Sequence, residues 1–352
     1  MAQNPIDASL KAQYEQFRTQ ALAMQDEIGK VIIGQRPVIE SVVIGLLARG
    51  NLLLEGVPGL GKTLLVRTLS QVIDAPFSRI QFTPDLMPAD IIGTNMVVEK
   101  EGGGRVFQFQ QGPIFANVIL ADEINRATPK TQSAMLEAMQ EHQVTAGGAI
   151  RKLPEPFFVL ATQNPLEMEG TYPLPEAQLD RFLFKIDVPF PSLDELTRIA
   201  DETTGVAMTQ ATSVVSGETL VGMQNVARSV PVAPVVERYA ARLILATHPR
   251  SGYSPEMVDK YVRYGASPRG VQALITTGKI RALLDGRFAV SCEDVRAVAT
   301  AVLRHRMIMN FEGEAEGIVA DAIVKAILGH VPETDDGPKK AAAAATAAEA
   351  RA

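Results

Sequence analysis

A single cysteine, Cys292, occurs in this chain of 352 residues. One thiol excludes an internal disulfide and fits a reducing compartment, where Cys292 serves as a small core residue. No run of 18 apolar residues occurs, so no membrane-spanning helix is expected. The first residues, MAQNPIDASLKAQ, lack the basic-then-apolar pattern of a secretory leader. A cytoplasmic protein is the expectation. Strong net charge is missing too: 34 Lys and Arg stand against 40 Asp and Glu, a balance of −6. No global basic field therefore draws the chain to nucleic acid. Its histidines, His142, His248, His305 and His330, are scattered and make no ligand cluster with the cysteine. No internal repeat is visible. What remains is ordinary globular composition, 46% hydrophobic and 21% charged, in a length that allows one large domain or a few smaller ones.

Leu10, Tyr14, Phe17, Ala21, Met24 and Ile28 recur at steps of four and three, which predicts a helix over about 9–30 with one apolar stripe. A turn at Val31-Ile32-Ile33-Gly34-Gln35 leads to a second helix ending near Arg49. From there short apolar strands alternate with helical segments, at 51–55, 79–82, 117–122, 157–162 and 182–188. That alternation predicts a buried five-stranded parallel sheet flanked by helices. Two hairpins interrupt it. One runs over 95–110 around Gly102-Gly103-Gly104, with Phe107 and Phe109 expected on a half-buried face; the other runs over 143–152 around Gly147-Gly148. After Pro189-Phe190-Pro191 the pattern becomes helical, which predicts an α domain over 191–332. An Ala-rich tail, 333–352, has no apolar face to bury.

Gly56-Val57-Pro58-Gly59-Leu60-Gly61-Lys62-Thr63 fits G-x-x-x-x-G-K-[ST]. It follows apolar Leu52-Leu53-Leu54 and precedes a helix opening at Leu64, the context the motif requires. Glycines let backbone N–H groups wrap a polyphosphate at a helix N-terminus. Lys62 is placed to reach the terminal phosphates and Thr63 to ligate Mg²⁺. The strand Val118-Ile119-Leu120-Ala121 ends in Asp122-Glu123, at the edge where open α/β sheets bind ligands. Asp122 suits the metal, directly or through water, and Glu123 suits orientation or deprotonation of the attacking water.

Three further residues have two readings each. Asn164 is either a turn residue before Pro165 or a polar group near the γ-phosphate. Arg181 either pairs with Asp180 or stabilises charge in phosphoryl transfer. Arg269, in a helix opened by Ser267-Pro268, is either a surface group or a phosphate ligand.

These motifs occur in the order of an AAA+ ATPase. Glu55 through Thr63, Ala121-Asp122-Glu123-Ile124-Asn125-Arg126-Ala127, Ala161-Thr162-Gln163-Asn164-Pro165 and Gly170 through Phe182 resemble, more narrowly, the MoxR family. The resemblance covers about 21–332. It implies an α/β fold of the AAA+ P-loop NTPase kind, with a five-stranded parallel sheet, a helix-2 insert and a pre-sensor-1 hairpin, plus an all-α lid. The divisions implied are an N-terminal helical extension (1–30), a nucleotide-binding domain (31–190), a lid (191–332) and the tail. ATP and Mg²⁺ are the implied cofactors. Gly34 and Gln35 resemble the segment packed around adenine, and Gly56 through Leu64 the phosphate cradle. The resemblance gives Asn164 as sensor 1, Arg181 as an arginine finger on the neighbour's ATP, and Arg269 as sensor 2. It implies a hexameric homo-oligomer acting as a chaperone-like remodeller, often beside von Willebrand factor A domain proteins. Alternatives of the same architecture are a nucleic-acid motor and a metal-chelatase motor subunit. A nucleic-acid partner is disfavoured by the charge balance and by the few hairpin bases, Lys100, Arg105, Arg151 and Lys152.

Overall fold

The computed structural model describes residues 8–99, 105–165, 170–205 and 209–334. The glycine tip at 102–104 and the tail from 335 onward lie outside these. Two compact units emerge, one of residues 19–225 and one of residues 1–18 with 226–352.

In the first unit, after α1 (Ala8–Val31) and α2 (Arg36–Leu47), come β1 (Leu52–Glu55), α3 (Lys62–Val72), β2 (Phe77–Gln81) and α4 (Pro88–Ile92). The chain continues through β3 (Gly93–Glu99), β4 (Arg105–Gln111), β5 (Val118–Asp122), α5 (Pro129–Glu141), β6 (Gln143–Ala146), β7 (Ala149–Lys152), β8 (Phe158–Gln163), α6 (Glu176–Leu179), β9 (Phe184–Asp187) and α7 (Leu193–Thr204). Five strands form one sheet in the order β2-β5-β8-β1-β9, and every neighbouring pair is parallel. Leu52, Leu53, Leu54, Val118, Ile119, Leu120 and Val159 are wholly buried, as strands covered on both faces must be. Buried Asn51 fixes where the sheet begins. Its side-chain oxygen accepts the Val159 N–H at 2.9 Å, and its carbonyl accepts the Leu183 N–H at 2.7 Å.

The two hairpins are antiparallel pairs, β3 with β4 and β6 with β7. They pack on each other. The Arg151 guanidinium lies 3.6 Å over the Phe109 ring. A Cβ at Gly147 would approach Asn95 Oδ1 to 2.5 Å, and this glycine has φ +62°, so the tight contact favours the residue present. The half-buried strand expected around Phe107 and Phe109 is corrected. Phe109 is covered by Arg151 and by the edge of Phe115, whereas Phe107 is 79% exposed. No element packs on the outer end of the β3–β4 ribbon among the described residues, so strand alternation there does not translate into burial.

The sequence places the domain change at 190/191, but α7 and the segment to Asn225 cluster with the sheet unit. Hydrogen bonds explain this: the Val214 and Val215 N–H groups both donate to the Val72 carbonyl at the end of α3. Glu27 on α1 holds the same segment through the backbone N–H and hydroxyl of Thr212, at 2.8 and 2.9 Å.

The second unit begins within α8 (Gly217–Ser229) and contains α9 (Pro234–Ala246), α10 (Glu256–Tyr261), β10 (Val262–Tyr264), α11 (Pro268–Leu284), α12 (Cys292–Leu303), β11 (Ile308–Met309), α13 (Phe311–Ala315) and α14 (Ala320–His330). It is helical apart from the short antiparallel β10–β11 pair, which the sequence reading did not foresee. Tyr14 from the start of α1 stacks on Phe288 at 5.7 Å, and Arg18 Nε donates to the Leu284 carbonyl at 2.9 Å.

Candidate functional site

A parallel sheet delivers the ends of its strands to one edge. The loop after β1, Asn164 after β8 and the acidic end of β5 therefore stand side by side, with β8 between the other two. The loop turns into α3 through Gly59 and Gly61, at φ +87° and +77°. Both positions face open space, and left-handed backbone there favours glycine. Helix α3 starts with Gly61 as its N-cap and has no side-chain cap. Its first N–H groups thus point outward at the positive end of the helix dipole, an arrangement suited to an anion. Lys62 Nζ bends back to donate to the Gly56 carbonyl at 2.6 Å. Burial lowers the Lys62 pKa, opposed by the charges of Asp122, Glu123 and Glu55, so a phosphate would find a partly desolvated cation facing it.

Beside this loop lies an open cleft. Ile32, Ile33, Leu60 and Leu64 give it apolar walls, Gly59 and Gly61 join it to the phosphate loop, and Pro191, Ile199 and Thr203 close the far side. Its mixed apolar and polar lining suits a small ligand such as a nucleoside. Gly34 and Gln35 both have positive φ, and Gln35 Nε2 donates to the Leu60 carbonyl at 3.3 Å. A Cβ on Gly34 would collide with Glu195 Oε1, at 2.0 Å. Hydrogen bonds from the Ser192 N–H and hydroxyl, and from the Gln35 backbone N–H, hold the Glu195 carboxyl below its ordinary range.

The acid pair is held by a chain of polar groups. Asp122 Oδ1 accepts the Thr162 hydroxyl at 2.6 Å, and Oδ2 accepts Arg79 Nε at 3.0 Å and Nη2 at 2.6 Å. Arg79 Nη2 also donates to Gln81 Oε1. Gln81 Nε2 and Arg126 Nη1 each donate to Glu123 Oε2 at 2.9 Å. Glu123 itself sits at φ 56° and ψ 50°, left-handed backbone that is uncommon outside glycine. The Asp122 carboxylate and the hydroxyl of Thr63 are oxygen donors, the class a hard divalent cation takes. Asp122 retains a mostly water-inaccessible side chain, 13% exposed, so its oxygens are pre-set rather than free to wander. These donors fit Mg²⁺.

The remaining residues separate. Asn164 is buried, 5% exposed, directly after β8. Arg181 precedes the start of β9, and β9 runs parallel to β1, so it lies at the opposite end of the sheet from the phosphate loop. It donates to the Leu136 carbonyl at 3.3 Å and lines a different cleft with Ser133, Glu137, Gln140 and Glu141. Arg269 belongs to the second unit, in the first turn of α11 after the Ser267 cap. Arg79 and Gln81 escape a reading confined to motifs, and Thr162 lies within one but receives no role from it. Thr162 alone carried a signal, as the hydroxyl two residues before Asn164.

A P-loop before a helix, an acid pair two strands away and a polar residue directly after the strand between them define the site of a P-loop nucleotide-binding protein. Accordingly, the family profile described as ATPase family associated with various cellular activities (AAA) matches residues 51–184, and that of an AAA lid domain matches residues 255–327. The chain is 43% identical to Chaperone MoxR1 of Mycobacterium tuberculosis, over 89% of this chain and 83% of that one. It is 31% identical to Protein MoxR of Paracoccus denitrificans, over 93% and 99%. A solved structure from Cytophaga hutchinsonii, described as a candidate ATPase, superposes with a TM-score of 0.86 at 42% identity, covering 92% and 98%. The chain belongs to the MoxR family of AAA+ ATPases. ATP is the nucleotide that family implies.

Proposed function

We propose that the chain hydrolyses ATP to ADP and phosphate with Mg²⁺, as a hexameric homo-oligomer that remodels a protein client. Lys62 and the α3 N-terminus hold the phosphates. Thr63 and Asp122 hold the metal, which neutralises phosphate charge when bound. Glu123 orients and deprotonates the attacking water. Asn164, between the loop and the acid pair, senses the γ-phosphate. Arg269 is assigned the part of sensor 2, as the family resemblance implies.

The observation that carries the oligomeric reading is the position of Arg181. A strand of four residues spans about 13 Å, and Arg181 lies beyond its far end from the loop. An arginine so placed serves the nucleotide of another copy, and such a finger contributes ~10³–10⁵ in rate.

The hairpins support a protein client. Met96, Val97, Val98, Val106, Phe107 and Ile150 are exposed there. Two of the hairpin bases are engaged locally: Arg105 pairs with Glu99 at 3.8 Å and Arg151 covers Phe109. Such a surface suits apolar protein segments better than a phosphate backbone. The name of the tuberculosis relative agrees with a chaperone role, and a von Willebrand factor A domain protein is the proposed client. The test is Mg²⁺-dependent phosphate release by an assembly of six copies, with Lys62→Ala weakening nucleotide binding. Hydrolysis by a strict monomer would reject the ring.

A further inference from the structure

The geometry points to Thr162 as the positioning residue for the acid pair, an inference that rests on the ATPase reading above. Its side chain is 1% exposed, in the middle strand of the three that build the site. A hydroxyl has one proton and two lone pairs. An ionised carboxylate can only accept, so the Thr162 proton goes to Asp122 Oδ1, 2.6 Å away. A lone pair is then left for the Glu123 N–H at 2.8 Å, and the two bonds fit one hydroxyl without conflict.

Each bond does separate work. The first fixes the orientation of the Asp122 carboxylate through Oδ1, which keeps a second lone pair. Oδ2 is held from the other side by Arg79, whose side chain is 47% exposed. The second bond anchors the backbone of Glu123 in its left-handed state, which sets the direction of the carboxylate. One β-branched residue on β8 thus aligns the metal ligand and the base on β5 together. The Thr162 hydroxyl bonds to Asp122 and to the Glu123 backbone. It acts through Asp122 and Glu123.

The test compares Thr162→Val, which keeps the shape and removes the hydroxyl, with Thr162→Ser, which keeps the hydroxyl. Outer-shell partners of metal ligands are worth about 10- to 100-fold. Thr162→Val is expected to lower kcat about 10- to 100-fold and to weaken Mg²⁺ in a titration of a bound fluorescent ATP analogue by a similar factor. Affinity for the analogue without metal should stay within about twofold, because the phosphate loop is untouched. Thr162→Ser should restore both values to within about threefold of the parent. Parental kcat and metal response in Thr162→Val overturn the inference, and so does a serine variant as impaired as valine. If Thr162→Val does not fold, Thr162→Ala takes its place, and parental kcat and metal response in it overturn the inference. Glu123→Gln is run beside them: if it hydrolyses ATP at the parental rate, the underlying reading fails. If it is inactive while Thr162→Val is normal, only the role of Thr162 fails.

Discussion

Replacing Glu123 by glutamine removes a proton acceptor while keeping its shape. The carboxylate accepts from Gln81 and Arg126 through one oxygen, Oε2, and a glutamine oxygen can accept from the same pair. The ion pair lost, Glu123–Arg126, has side chains 24% and 42% exposed. Pairs of that kind are worth roughly 0–1 kcal/mol. A unit of about 200 residues should therefore lose no more than about 4 °C in Tm. Nucleotide binding should persist, since Lys62, the glycines and the α3 N-terminus are unchanged. Turnover is another matter. A positioned general base contributes about 10²–10⁴ in rate, equivalent to roughly 3–5 kcal/mol of transition-state stabilisation. Glu123→Gln should thus bind ATP within about twofold of the parent and release phosphate at least about 100 times more slowly. Isothermal titration and a phosphate-release assay on one preparation give both numbers. Parental turnover would refute the assignment of the base. So would lost binding with a lowered Tm, because it would make Glu123 a scaffold residue.

Glu27 makes a stability prediction of known sign. Lys30 first, then the backbone N–H and hydroxyl of Thr212, hold its carboxyl down to about 2 from 4.5. A depressed carboxyl stabilises the fold fully above pH 4.5 and loses that contribution as pH falls towards 2. Glu27→Gln should cost about 1–2 kcal/mol at pH 7, and the difference from the parent should shrink below pH 4.5; parallel pH–Tm curves would count against the assignment. Phe107→Ser, at the exposed end of the hairpin, should change stability by no more than about 0.5 kcal/mol and leave basal hydrolysis intact while weakening client remodelling. An unchanged client response in that variant would remove Phe107 from the coupling surface.

Much of this molecule was legible in its sequence because the signals were local. Five apolar runs between helices became the five sheet strands, and Gly56 through Thr63 announces its own loop. The second hairpin was readable to its ends because Gly147-Gly148 separates two four-residue alternations. Strand β2 begins earlier than expected, at Phe77, because pairing with Val118 and Ile119 extends it through Phe77 and polar Ser78. The β10–β11 pair, three residues against two, is too short for any periodicity to register. What the sequence hid is what depends on strand order. Arg79 and Gln81 reach Asp122 and Glu123 only because β2 lies beside β5, some 40 residues later. Likewise Thr162 meets the acid pair because β8 lies on the other side of β5. The remoteness of Arg181 from its own phosphate loop follows from β9 pairing in parallel with β1, which no motif reports.

On the proposed reading, each nucleotide is hydrolysed by groups from two copies of the chain. Arg181→Ala and Glu123→Gln, each inactive alone, should be mixed under conditions where exchange of subunits is verified by a fluorescent label. A mixed assembly then contains interfaces that join an intact Glu123 to an intact Arg181, and ATP hydrolysis should return in proportion to them. Complete exchange without any return of hydrolysis would contradict the account.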